Sequence, residues 1–198
     1  MRRIAIAAAL LVMAAPAVAA IGERIAAPVG GISIEKPAGW SVLPPDEALR
    51  NIRGIDFDTP GASRALRGPL ITLTKYPLSH EGVVPTIKVN YHHFPAAREL
   101  GPDGLAKLVI ADLNRSLGEV KVLDAPSTVK VSGLSAGHFR VGYALRRGKQ
   151  TADAVSEIWA VPRGNGFFMI GVGYSPDEPA ATHGEIEAAV ASVKIEAQ

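Results

Sequence analysis

The stretch from Gly133 to Tyr174 reads GLSAGHFRVGYALRRGKQTADAVSEIWAVPRGNGFFMIGVGY, and its alternation decides the fold. Three segments, Leu134–Arg146, Thr151–Val161 and Gly166–Tyr174, carry the period of two that a strand imposes on its side chains. In the first, Phe139, Val141, Tyr143 and Leu145 share one face, and His138, Arg140, Gly142 and Ala144 share the other. In the second, Val155, Glu157, Trp159 and Val161 oppose Ala154, Ser156, Ile158 and Ala160. In the third, Phe168, Ile170, Val172 and Tyr174 oppose Phe167, Met169, Gly171 and Gly173. The bare Gly171 and Gly173 are expected to admit a helix backbone at close range. The polar run Arg146–Gln150 and the Pro162–Gly166 turn separate the segments, with Gly and Asn available for positive φ. The pattern predicts an antiparallel meander.

Downstream, Pro179–Ser192 predicts a helix lying across one face of that sheet. It should bury Ile186, Ala189, Val190 and Val193 and turn Glu185 and Glu187 outward. Upstream, a helix is expected over Leu105–Leu117, with Asp103 as its N-cap, Gly118 as its stop, and Leu105, Leu108, Val109, Leu113 and Leu117 as its apolar stripe. Leu70–Tyr76 and Thr86–Phe94 read as strands. Val120–Leu123 and Ser127–Val131 read as two short ones. Gly31–Glu35 and Ser41–Leu43 make a short opening pair around a Pro-Gly turn, with Trp40 expected in the core and its indole N–H on backbone. Pro44–Pro69 is the least regular part, with one helical turn at Asp46–Arg50, a paired Asp56 and Asp58, and an exposed loop carrying Arg64 and Arg67.

Residues 1–19 have the layout of a secretory signal peptide. Arg2 and Arg3 precede an uncharged Ala-rich run, and Ala17-Val18-Ala19 offers small residues to a signal peptidase, with cleavage expected after Ala19 or one residue later. Residues 20–30 are expected to form a flexible leader and 31–198 a single domain. The formal net charge is +2, and the two leader arginines account for all of it: 21 Lys+Arg less those two equals the 19 Asp+Glu. A balanced chain lacks the concentrated basic face that nucleic acid requires. With no Cys, the chain has neither a disulfide nor a thiol for lipid attachment. The expected location is periplasmic or secreted, with no membrane span once the leader is removed.

Chemistry-bearing patterns are sparse. Gly133-Leu134-Ser135-Ala136-Gly137 fits G-x-S-x-G, and Asp153 or Asp177 and His183 follow in hydrolase order. A nucleophile elbow needs a strand before it and a helix after it, whereas strand alternation follows Ser135, so a serine hydrolase is the remote reading. His92 and His93 are adjacent and point to opposite faces of a strand, so only one can join a given site. His138 and a partner such as Glu157 on the neighbouring strand could join one metal site, but alternation leaves their faces relative to each other unassigned. Arg140, Arg146, Arg147 and Arg163 gather around the meander turns. The candidate binding residues are Trp40, His92, His138, Arg140, Glu157 and Trp159. No catalytic residue, metal ligand or cofactor is assigned.

The opening Ile32-Ser33-Ile34-Glu35-Lys36-Pro37-Ala38-Gly39-Trp40, the strand pair Gly133–Arg146 and Thr151–Val161, and the final strand Phe167–Tyr174 with its helix resemble the PsbP-like group. That group includes DcrB-type envelope proteins. The resemblance implies an α+β protein, an α/β/α sandwich on a twisted, mainly antiparallel sheet. It also implies a non-enzymatic accessory or interaction role in the bacterial cell envelope, with another envelope protein as partner. No set of functional residues carries over. The second expectation is a periplasmic carrier of a small ligand or metal ion, which demands a pocket lined by sheet residues.

Overall fold

The computed structural model describes residues 21–27, 30–53 and 68–196. The signal peptide, Asp56, Asp58, Arg64 and Arg67 lie outside the described residues.

The meander forms because its turns supply left-handed glycines where two adjoining strands must reverse: Gly148 has φ 59° and Gly164 φ 56°. β7 (Leu134–Arg147), β8 (Gln150–Arg163) and β9 (Gly166–Tyr174) pair antiparallel in succession. Register sets His138 opposite Trp159, Arg140 opposite Glu157, and Trp159 opposite Ile170. β5 (Thr86–His93) pairs along β9, β4 (Ile71–Thr74) along β5, and β3 (Ser41–Val42) along β4. β6 (Lys121–Val131) pairs along β7 at the far edge, so the main sheet runs β3-β4-β5-β9-β8-β7-β6. The two short strands expected over Val120–Val131 are one strand whose register slips on both sides of Asp124. Pro126, which has no N–H to give the ladder, falls in the second slip.

A second sheet joins β1 (Ile21–Ala26), β2 (Ile32–Pro37) and β10 (Lys194–Ile195) in the order β1-β2-β10. Residues 21–26, expected as a loose leader, are held there by pairing with β2. Arg24 reinforces it: the guanidinium ion-pairs with Glu35, donates to Ser33 Oγ at 3.1 Å and reaches the Ser192 carbonyl at 3.2 Å.

Helix α1 (Pro45–Arg53) is longer than the single turn expected, with Pro45 at its start and Asp46 and Glu47 in its first turn. Helix α2 (Ala97–Leu117) starts well before Leu105. It breaks at Gly101, φ 64°, and resumes at Pro102. Asp103 is therefore inside the helix, bridging to Lys107 at 2.6 Å rather than capping. Gly118 does end the helix, its N–H donating to the Asn114 carbonyl. Helix α3 is Ala180–Ala191.

α1 and α2 lie over one face of the main sheet; α3 and the small sheet lie over the other. On the first face Leu105, Ala106 and Val109 pack on Phe139, Val141, Ile158 and Phe167. Gly137 makes that seating possible, since a Cβ there would stand 2.1 Å from the Pro102 carbonyl oxygen. Gly171 and Gly173, expected to serve this purpose, do not: a Cβ on either meets nothing within 4 Å. On the second face Ile32, Ile34, Ile186 and Val190 pack on Leu73, Ile87, Phe168 and Ile170. Trp40 is buried in that layer, and its Nε1 donates to Glu185 Oε2 at 2.8 Å, not to backbone. Glu185 also accepts from Lys75 Nζ at 2.9 Å, so it faces the core edge, while Glu187 is exposed. The fold is α+β, an α/β/α sandwich.

Candidate functional site

The period of two sends the residues named from sequence to different places. His138, Arg140, Glu157 and Trp159 do share a face, the one toward α3. His138 Nε2 lies 2.7 Å from Glu157 Oε1, and its ring stacks on Trp159 with centroids 4.9 Å apart. Arg140 Nε stands 2.8 Å from Asp124 Oδ2, off the line of its N–H, as an ion pair rather than a hydrogen bond. Tyr174 closes the group. Burial and then the Glu157 charge raise its phenol pKa, against a hydrogen bond from Arg140. Each charge in this ladder already has an opposite neighbour, and no third ligand joins His138 and Glu157. No cluster of three metal-ligating side chains occurs among the described residues.

Trp40 and His92 are not part of the ladder. Trp40 is core. His92 is on the α2 face, stacked on Phe167 at 5.0 Å, with its pKa lowered by burial against the raising effect of Asp112. Ser135 Oγ accepts from Lys130 Nζ at 3.0 Å and sits in a strand. His183 packs edge-on against Tyr174. The proposed triad order does not bring these residues together.

The feature that pattern reading missed lies on the α2 face, between α1, α2, the 78–84 loop and the β7–β8 turn. It is a cavity of about 820 Å³, within the range of small-ligand sites. Its floor follows directly from register. Lys88 pairs with Gly171 and Gly171 with Ile158; Thr86 pairs with Gly173 and Gly173 with Ser156. The two bare glycines leave a trough between a polar strand, β5, and the mixed face of β8. Tyr143 OH and Ser156 Oγ are 3.0 Å apart on the far wall, and burial raises the Tyr143 pKa while the Ser156 bond opposes it. Arg147 stands at one end with its guanidinium on the Asn51 carbonyl at 3.1 Å.

Lys88 is the unusual member. Burial pulls its pKa from 10.5 down to about 8. Its register neighbour on β4, Thr72, has a buried hydroxyl with no partner. On this face a half-buried lysine thus adjoins a buried hydroxyl that lacks a partner among the described residues, although buried polar groups are otherwise nearly always paired.

No family model matches the chain, and no curated protein matches it. Solved structures do. A chain from Bacteroides thetaiotaomicron VPI-5482 superposes with a TM-score of 0.49 at 13% identity, covering 90% of this chain and 50% of that one, so this chain spans half its length. LpqN of Mycobacterium tuberculosis, involved in cell envelope biogenesis, gives 0.48 at 16% identity over 88% of this chain and 90% of that one. Cyanobacterial PsbP from Synechocystis sp. PCC 6803 gives 0.52 at 12% identity, covering 93% of this chain and 99% of that one. With its antiparallel main sheet between α1 and α2 on one side and α3 on the other, this chain has the PsbP-like fold.

Proposed function

We propose that the protein is an exported, non-enzymatic accessory protein of the bacterial cell envelope that carries a small ligand in the α2-face cavity. The observation that carries this reading is the trough over Gly171 and Gly173, walled by sheet residues and containing a half-buried lysine that has no partner among the described residues. The leader at residues 1–19 supports export, and no helix among the described residues is long and apolar enough to cross a membrane. The partner would be another envelope protein that supplies or receives the ligand. The charged ladder of Arg140, Glu157 and His138 is internally neutralised and serves this reading less well than the cavity does.

Native mass spectrometry of protein produced with its own leader and recovered from the envelope tests it. The expected result is a chain beginning just after Ala19 with a bound small-molecule mass. Gly171→Val should lose that mass while folding normally, because its Cβ meets nothing within 4 Å and a β-branched residue suits a strand. Replacing the strand glycine should even add about 0.5–1 kcal/mol of stability. An adduct retained unchanged in Gly171→Val, or a ligand-free protein in every preparation, would remove the carrier reading.

A further inference from the structure

We propose that the cavity takes a small organic carboxylate, its head on the Lys88 ammonium and its apolar body over Gly171 and Gly173. This rests on the carrier reading and narrows it to one chemical class.

The argument starts from cost. A lysine on a sheet face ordinarily reaches open solvent or an acid; Lys88 is half-buried, and among the described residues no acid is bonded to it, Glu81 being the one acidic residue of the cavity lining. An ammonium without a partner in a low-dielectric site is penalised until an anion arrives. Asn90 follows Lys88 on the same face and lines the same space, adding amide N–H donors suited to a carboxylate. Thr86 Oγ1 is spent on the Val84 carbonyl at 2.8 Å, so on β5 the cavity meets one cation and one amide, with Ser79 and His80 on the facing loop. That is the complement of a single negative charge. The Arg147 guanidinium is already bonded to Asn51, and Glu81 lines the cavity as well, which disfavours a dianion. Beyond the polar end the walls turn apolar, with Leu113, Leu145, Ala154, Ile158 and Met169 around the bare Gly171. A cation beside an apolar patch, with the Tyr143 and Ser156 hydroxyls on the far wall already bonded to each other, suits an amphiphilic monoanion.

Calorimetric titration of the mature chain with sodium hexanoate and sodium benzoate, against hexanamide and benzamide, tests this. The acids should bind and raise Tm, and the shape-matched amides should bind at least about tenfold more weakly, since only the acids form a charge-assisted bond. Lys88→Met should erase the preference for acid over amide. Acid affinity should decline as the pH rises through about 8, where the unliganded ammonium loses its proton. Gly171→Leu should abolish binding of both classes by filling the trough. Equal binding of acid and amide, or an undiminished acid affinity in Lys88→Met, would overturn the carboxylate assignment while leaving a carrier of uncharged ligands standing. Acid binding that survives Gly171→Leu would place the anion elsewhere and overturn it too, as would no binding of either acid.

Discussion

Lys88 is a side chain whose burial lowers the stability of the folded chain. Between about 8 and its ordinary value of 10.5, the unfolded chain holds this proton and the folded chain does not. Stability should therefore rise with pH across that window and be flat with respect to this group below it. The rise should not exceed about 3 kcal/mol, because the half-buried ammonium is partly screened by solvent, and denaturant melts of wild type and Lys88→Met as a function of pH would show it. The variant should lack the rise and be the more stable protein at neutral pH. A slope unchanged by the substitution would mean that Lys88 is solvated. The residue's side of β5 was legible from alternation, since Lys88, Asn90 and His92 fall opposite Ile87 and Val89. What they face was not legible, because it depends on which strand pairs with β5. The same limit applied to His138 and Glu157, whose shared face was open until the register of β7 on β8 was known, and to Trp40, whose bond to Glu185 spans most of the chain.

Strict alternation was enough for β4 and β5 as well as for the meander, whereas β1 and the start of α2 carried no signal that pattern reading could use. β7, β8 and β9 announce themselves because two turns and strict alternation lie within one stretch. β1 was missed because six residues without turn chemistry become a strand only when β2 is available to pair with them. The start of α2 was missed because Gly101-Pro102 reads as a stop, yet Pro is tolerated in the first turn of the segment that resumes there. The two kinds of strand glycine were likewise indistinguishable before the register was known. Gly137 bears the helix and Gly171 bears the trough. Gly137→Val should accordingly drive α2 off the sheet. Its Cβ would overlap the Pro102 carbonyl, which belongs to backbone and cannot rotate away. A loss of about 3 kcal/mol is expected, measured by urea denaturation, against a gain for Gly171→Val. Similar effects from the two substitutions would contradict the assigned roles.

Across the whole molecule, the two sheets and α3 are tied by one polar junction in which Trp40, Lys75 and Glu185 meet. Partial burial works against the Glu185 charge, but the hydrogen bonds from Trp40 and Lys75 outweigh it and hold the carboxyl below its ordinary pKa. The junction's contribution is thus fully present above the ordinary carboxylate range and is lost as the pH falls through the lowered value. Glu185→Gln, which keeps an acceptor for Trp40 but not the charge for Lys75, should cost about 1–2 kcal/mol at neutral pH. It should also flatten the acid limb of the Tm–pH curve, and an unaltered acid limb would show that the junction is not what fails in acid. The outer boundary of the main sheet has a different consequence. An eleven-residue border strand offers a long row of unused backbone groups, which invites a second chain to add itself. β6 is bent by two register slips, interrupted by Pro126 and carries Lys121 and Lys130. A border of that shape gives an incoming strand no continuous straight template, so the molecule is protected against fibrillar self-association by the same irregularity that made β6 read as two strands.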